Sequence, residues 1–332
     1  MRKALRIFAG FSVIGVALGL SIPGRAEAQE KLSQLTVTNG EERAHMFPTV
    51  NVSAAVKQFA SDTGPLLYHV GGQIMPSATT YAIFWLPSKL QNGNATSMSL
   101  RYRTVLQNML KDYAGHGIGS NNTQYYQTIA LKRTYIQNKG GLGDHYLDTS
   151  AYPASGCTDT AMPGNCITDA QIRAEIQKVM ALRGWTGGMN NMFLLFTSKG
   201  EGSCLTSTSC AYTSYCAYHS FFNLAGTTVI YGNQPYGETS VCQAPGTPSP
   251  NGDAEADAAA SIASHEVTEA ITDPMLNAWY TAQGNEIADL CSYKYGVNTW
   301  AAGKANQMWN GHFYELQLEY DNHGTSCVQI GP

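Results

Sequence analysis

Two apolar runs early in the chain, residues 66–75 and 80–86, have the length of strands and are separated by a turn that holds Pro76. The period then changes. Leu100, Val105, Leu106, Met109, Leu110 and Tyr113 recur at helical spacing, and Gly115 follows as a stop. Residues 122–135 read as another strand. Residues 168–182 form a helix that opens at Thr168 and ends at Gly184. The short apolar run 191–197 has the character of a central, fully buried strand, and 227–231 of a further one, in a stretch rich in Tyr and Cys. A loop over 245–251 leads into a long Ala-rich helix, 254–272. Short strands near 286–290 and 314–320 punctuate an irregular tail. Strands that alternate with helices predict an α/β or α+β fold with one domain over residues 61–332. Residues 29–60 are polar and weakly patterned, and read as an N-terminal extension that orders on contact.

The first residues change the compartment. Arg2, Lys3 and Arg6 precede an apolar run from Phe8 to Ile22, and Ala26 and Ala28 supply the small residues of a cleavage site. This is the pattern of a secretory signal peptide over residues 1–28. The run is short for a membrane span of ~20 residues and is broken by Gly10, Gly15 and Gly19. Cleavage removes four bases and one acid, so the net charge moves from −4 to −7. Only 13% of residues are charged, against about a quarter in an ordinary soluble domain. An acidic, charge-poor chain is ill suited to nucleic acid, and no later stretch suits a membrane. All eight Cys lie after Asp148, none in a CxxC spacing, which predicts disulfides rather than a zinc-thiolate site. Cys157–Cys166 and Cys204–Cys210 would close local loops, and Cys291–Cys327 would tie down the C-terminal segment.

The chemistry concentrates in residues 264–274. At 100° per residue Ala260, Ala263, Val267, Ala270 and Ile271 share a core face, and His265 and Glu269 stack on the opposite side at i, i+4. Two side chains so placed can hold one cation from a single helix, as the two histidines of HExxH do, with Glu266 in the place of the glutamate that polarises a metal-bound water. Glu269 stands where HExxH has its second His. A carboxylate is an acceptable zinc ligand, and it widens the choice toward harder cations. Asp273 is one more i+4 step, and Asp253 is a candidate N-cap. A third ligand is expected from Asp289 or Glu286 beyond the Gly284 turn, or from Asp273. Strand alternation puts Asp289 on the face of Cys291 and favours it. Without a cation, the same residues would make a solvated acidic face on an amphipathic helix. His219, in a Cys- and Tyr-rich stretch, is either a buried hydrogen-bonded residue or a contributor to the site. His45, His69, His116, His145, His312 and His323 have no ligand-spaced partner. GxSxG and phosphate-loop signatures are absent.

Taken in order, the segments from Tyr68 through Gly71, Gly72 and Met75, Tyr81 to Trp85, Phe193 to Ser198 with Cys204, Cys216 to His219, Asn251-Gly252-Asp253, Thr272-Asp273-Pro274, Glu286 to Cys291 and the terminal Cys327 resemble the EXORDIUM / phosphate-induced protein family. The resemblance spans roughly residues 65–330. It implies secretion, a cell-wall-associated role in plants without a settled enzymatic activity, and, for bacterial relatives that keep the His265-Glu266-x-x-Glu269 set, a degenerate zincin-like domain. That domain would combine a mixed sheet, a long motif-bearing helix and a disulfide-stapled C-terminal half.

Two functional expectations follow. One is a secreted metal-dependent hydrolase, a peptidase first, acting on peptide or an extracellular polymer. It would hold a divalent metal, zinc foremost, on His265 and Glu269 with Asp289 or Asp273, and use Glu266 as general base. The other is a non-catalytic extracellular protein in which the same residues hold a structural cation or a polar network.

Overall fold

A computed structural model of the chain describes residues 35–331, apart from 40, 41, 60, 61 and 63. The expected signal peptide, residues 1–28, lies outside the described residues. The described residues make one compact unit.

Its centre is a seven-stranded mixed sheet. In chain order the strands are β1 (Thr36–Asn39), β2 (Glu42–Pro48), β3 (Ala78–Trp85), β4 (Gly140–Asp148), β5 (Asn191–Thr197), β6 (Tyr215–Leu224) and β7 (Thr227–Gln234). Spatially they run β1-β2-β6-β7-β5-β3-β4. The half made of β7, β5, β3 and β4 is parallel, whereas β1, β2 and β6 pair antiparallel with their neighbours. Among the described residues the helices are α1 (Val50–Phe59), α2 (Leu100–Asp112), α3 (Asp169–Arg183) and α4 (Ala254–Thr272), besides two single-turn ones.

Period-2 alternation splits the central strands between two cores. Ala82, Phe84, Met192, Leu194 and Phe196 face α2 and α4, while Ile83, Trp85, Phe193 and Leu195 face α3. The result is three layers, with helices on both faces of the sheet, which is why β5 reads as an unbroken apolar run. Ser99 caps α2 through the Tyr102 amide (2.8 Å), and Thr168 with Gln171 forms a capping box on α3, which stops at Gly184 in the left-handed conformation.

Several expectations are corrected. Residues 66–75 form only a two-residue strand, Leu67–Tyr68, followed by a turn. Residues 122–135 begin as a 3-10 turn and continue as a separate hairpin, Tyr126–Ile129 with Lys132–Tyr135. Residues 286–290 are not a strand but lead into a 3-10 turn, Asp289–Cys291. Strands β1, β2, β4 and β6 carry no clear signal in the sequence, and β1 and β2 draw residues 36–39 and 42–48 into the main sheet. The Cys157–Cys166, Cys204–Cys210 and Cys291–Cys327 bridges are present, and Cys216–Cys242 completes four.

Candidate metal centre

The helix α4 starts from Asp253, whose carboxylate accepts from the Ala256 amide at 3.1 Å. It is buried from Ala256 to Thr272, so the expected solvated face does not exist. One side packs into the core through Ala260, Ala263, Val267 and Ala270. The polar side is covered by β6, β2 and the segments around Asp289 and Gln317. His265, Glu266 and Glu269 are wholly buried, and Asp289 is 7% exposed.

Of the residues expected to act together, three converge. His265 Nε2 lies 3.1 Å from Glu269 Oε1 and 3.9 Å from Asp289 Oδ1. Glu266 points instead toward β6, its Oε2 3.1 Å from His219 Nδ1. Asp273 ends the helix, and its Oδ1 accepts from the Asn277 and Ala278 amides at 2.6 and 2.7 Å. It builds the turn after α4, and Asp289 is the acid that stands opposite His265. The alternation that favoured Asp289 does not apply, because the residue sits in a 3-10 turn. That turn is held by the neighbouring Cys291–Cys327 bridge and by the Glu286 amide, which donates to Asp289 Oδ2 at 2.7 Å.

Two residues not expected there, His45 and Gln317, join the site, and with them Glu286, one of the acids expected after the Gly284 turn. His45, on β2, pairs in register with His219 on β6 and shares its face of the sheet. Its Nε2 is 2.8 Å from Asp289 Oδ2 and its Nδ1 2.9 Å from Thr36 Oγ1. Glu286 lies 3.4 Å from His45 Nδ1 and 3.7 Å from His219 Nε2. Gln317 donates to Ala288 O at 2.7 Å and meets His265 Nδ1 at 3.1 Å. Because the Tyr293 amide donates to its Oε1, the Gln317 nitrogen is the atom facing the ring, which leaves the ring hydrogen on Nε2. A cation at Nε2 would displace that hydrogen, and Gln317 would turn its amide to accept from Nδ1. Phe47, two residues beyond His45, lies against His265 with ring centroids 4.3 Å apart.

Burial dominates the electrostatics. It raises the pKa of Glu266, Glu269 and Glu286 well above the usual carboxylate range, and the neighbouring acids add to the effect. Burial likewise pushes Asp273 up to about 7 and His265 down to about 4. His219 is also lowered by burial. For His45 the carboxylates of Asp289 and Glu269 outweigh burial, and its pKa is raised. Neutral imidazoles are the form that binds a metal. His265 Nε2, both oxygens of Glu269, Asp289 Oδ1 and Glu286 Oε2 are buried and have no hydrogen-bond partner among the described residues. The Ala288 and Asp289 amides face Glu269 without completing a hydrogen bond. Buried polar atoms are ordinarily satisfied, and several orphans aimed at one another are what a cation would satisfy. One imidazole and two carboxylates give three protein ligands, the number a catalytic zinc keeps, but with one imidazole fewer and one carboxylate more than a His2Glu set, which widens the choice toward harder cations.

His45 and Gln317 carry little sequence signal, whereas Glu286 was among the acids expected after the Gly284 turn. His45 lies more than 200 residues from the helix in a stretch that looks like an extension, and its position between buried Ala44 and Met46 is its one mark.

A curated relative, Protein EXORDIUM-like 3 of Arabidopsis thaliana, is 29% identical over 170 residues, which are 45% of this chain and 49% of that protein. Protein EXORDIUM-like 5 of the same plant is 39% identical over 51 residues, 14% of each. These likenesses support the EXORDIUM resemblance, and the chain spans about half the length of the first relative and less of the second. No family model and no solved structure matches the chain. Among the described residues, no helix is long and apolar enough to cross a membrane.

Proposed function

We propose that this is an exported protein whose zincin-like domain binds a divalent cation, zinc foremost, through His265, Glu269 and Asp289, and uses it to hydrolyse peptide or an extracellular polymer. The observation that carries the reading is the set of buried, unpartnered ligand atoms His265 Nε2, Glu269 Oε1 and Asp289 Oδ1 within 3.1 and 3.9 Å of the imidazole. A bound cation supplies Lewis acidity at that point. The protein's own groups do the rest. Gln317 holds the His265 ring in place. Glu266, whose pKa burial raises well above the ordinary carboxylate range, carries the proton, and His219 orients its carboxylate. Export is supported by the basic-apolar N-terminal pattern and by four disulfides.

The complete burial of His265, Glu266 and Glu269 favours a second reading, in which the cation is structural and joins α4 to the Asp289 turn. Metal analysis of chelator-free protein tests the site, with one or more equivalents expected and none sinking both readings. Glu266→Gln separates them. Retention of the cation on His265, Glu269 and Asp289 with loss of hydrolysis means catalysis. Retained metal and unchanged behaviour, together with a lower melting temperature for His265→Ala, means a structural ion.

A further inference from the structure

Glu269 faces two ways. Its Oε1 is 3.1 Å from His265 Nε2, and its Oε2 is 3.7 Å from His219 Nδ1. Neither oxygen has a hydrogen-bond partner among the described residues, although the side chain is wholly buried. On the first side stand His265, Asp289 and His45. On the second stand His219 and Glu266, 3.1 Å apart. One ligand atom from each of His45, Glu269 and Asp289 falls within 4.8 Å of the others, and the same holds for His219, Glu266 and Glu269. Glu269 belongs to both groups.

Charge points the same way. Glu266, Glu269, Glu286 and Asp289 bring four carboxylates into one buried space. A single divalent cation on the His265 side balances two of them and a protonated His45, 2.8 Å from Asp289 and 3.4 Å from Glu286, a third, so Glu266 on the His219 side either stays protonated or meets a second cation. The unpartnered atoms also extend past the first group to Glu266 Oε1, His219 Nε2 and Glu286 Oε2.

We propose that the site takes two divalent cations, with Glu269 as the shared carboxylate. The first is the cation on the His265 and Asp289 side, so the inference rests on the function proposed above. The second lies between His219 Nδ1, Glu266 Oε2 and Glu269 Oε2. A carboxylate that gives one oxygen to each of two cations is the ordinary bridge of sites whose ions sit about 3.5–4 Å apart. On binding, His219 would give up the hydrogen at Nδ1 and carry it on Nε2, which faces Glu286 Oε2 at 3.7 Å. A Glu266 that ligates a cation is not free to carry a proton, so its two roles belong to different loading states of the protein.

The test is stoichiometry. Purified full-length protein is stripped with chelator, loaded with zinc alone, desalted and measured by elemental analysis. Two equivalents per chain are expected, falling to one in His219→Asn and in Glu266→Gln. One equivalent in the unsubstituted protein, unchanged in both variants, overturns the second cation and leaves the first standing, whereas none overturns both. Because the variants alter a buried cluster, the unsubstituted protein is also loaded with manganese(II). A spin-coupled pair in its electron paramagnetic resonance spectrum supports the shared carboxylate, and the signal of isolated ions alone overturns it.

Discussion

Two buried acids lie on opposite faces of the same strand. Tyr218 and His219 are consecutive on β6, so their side chains leave the sheet in opposite directions. The Tyr218 hydroxyl donates to Asp169 Oδ1 at 2.7 Å, the Tyr231 hydroxyl donates to the same oxygen at 2.5 Å, and Arg173 pairs with Oδ2 at 2.9 Å. Asp169 is thus an acid that the fold satisfies within itself. On the other face, Glu269 meets His265 and His219 at the edge of contact and leaves both oxygens without a hydrogen bond among the described residues. An acid that builds structure arrives with its partners. An acid kept buried without them is a cost to the fold, and the cation proposed above would turn that cost into binding energy.

The comparison breaks first at Asp169. Asp169→Ala strands Arg173 and two tyrosine hydroxyls and should cost about 3–5 kcal/mol, read from denaturant midpoints and indifferent to chelator. A loss under 1 kcal/mol would mean that Asp169 is not the closed network described. Next comes the bridge that holds the Asp289 turn. Cys291→Ser with Cys327→Ser opens a loop of 36 residues and should cost about 2–4 kcal/mol. It should also weaken zinc retention, which no loss at Asp169 would do. Third, Glu269→Gln should act with opposite signs in two assays. In chelated protein at alkaline pH it removes a buried acid that lacks partners and raises stability by about 1–2 kcal/mol, while zinc affinity falls at least about 100-fold. Destabilisation of the chelated protein would place Glu269 with Asp169 instead.

Acidity sharpens the contrast further. Glu266, Glu269 and Glu286 have folded pKa values raised above their ordinary 4.5, so between the two values the folded chain holds more protons than the unfolded one. Stability of the chelated protein should therefore fall as pH rises above about 4.5, with Asp273 adding to the fall up to about 7. Zinc should flatten that decline, and melting curves over pH with and without chelator read it. The smallest effect is expected at Gln317, where Gln317→Leu frees the His265 ring and should weaken zinc by about 10-fold without loss of fold.

What could be read from the sequence follows from how local each signal is. The helix over 254–272 was legible to the residue because Ala-rich spacing and the Asp253 cap are local, and its i, i+4 pair named His265 and Glu269. The strands at 191–197 and 80–86 showed as apolar runs because both faces of the sheet are covered. β4 did not, since it is an edge strand with polar residues on alternate positions. β6 hid its alternation because Tyr218 and His219 are both buried, one beside an acid on each face. The site is assembled from α4, β2, β6 and two C-terminal segments, and no spacing rule joins His45 to Asp289 across 244 positions. Asp289 was reached through an alternation that the 3-10 turn does not have.

The place of β2 also bears on time. The β1–β2 hairpin joins the sheet through β6 alone, and its residues His45 and Phe47 close the site over His265 and Asp289. Were the parting of this hairpin from β6 the route by which an ion enters, that opening would gate the centre. Uptake would then reach a ceiling rate as zinc concentration rises, set by how often that edge opens. A chelator would draw the ion out no faster, however strong the chelator.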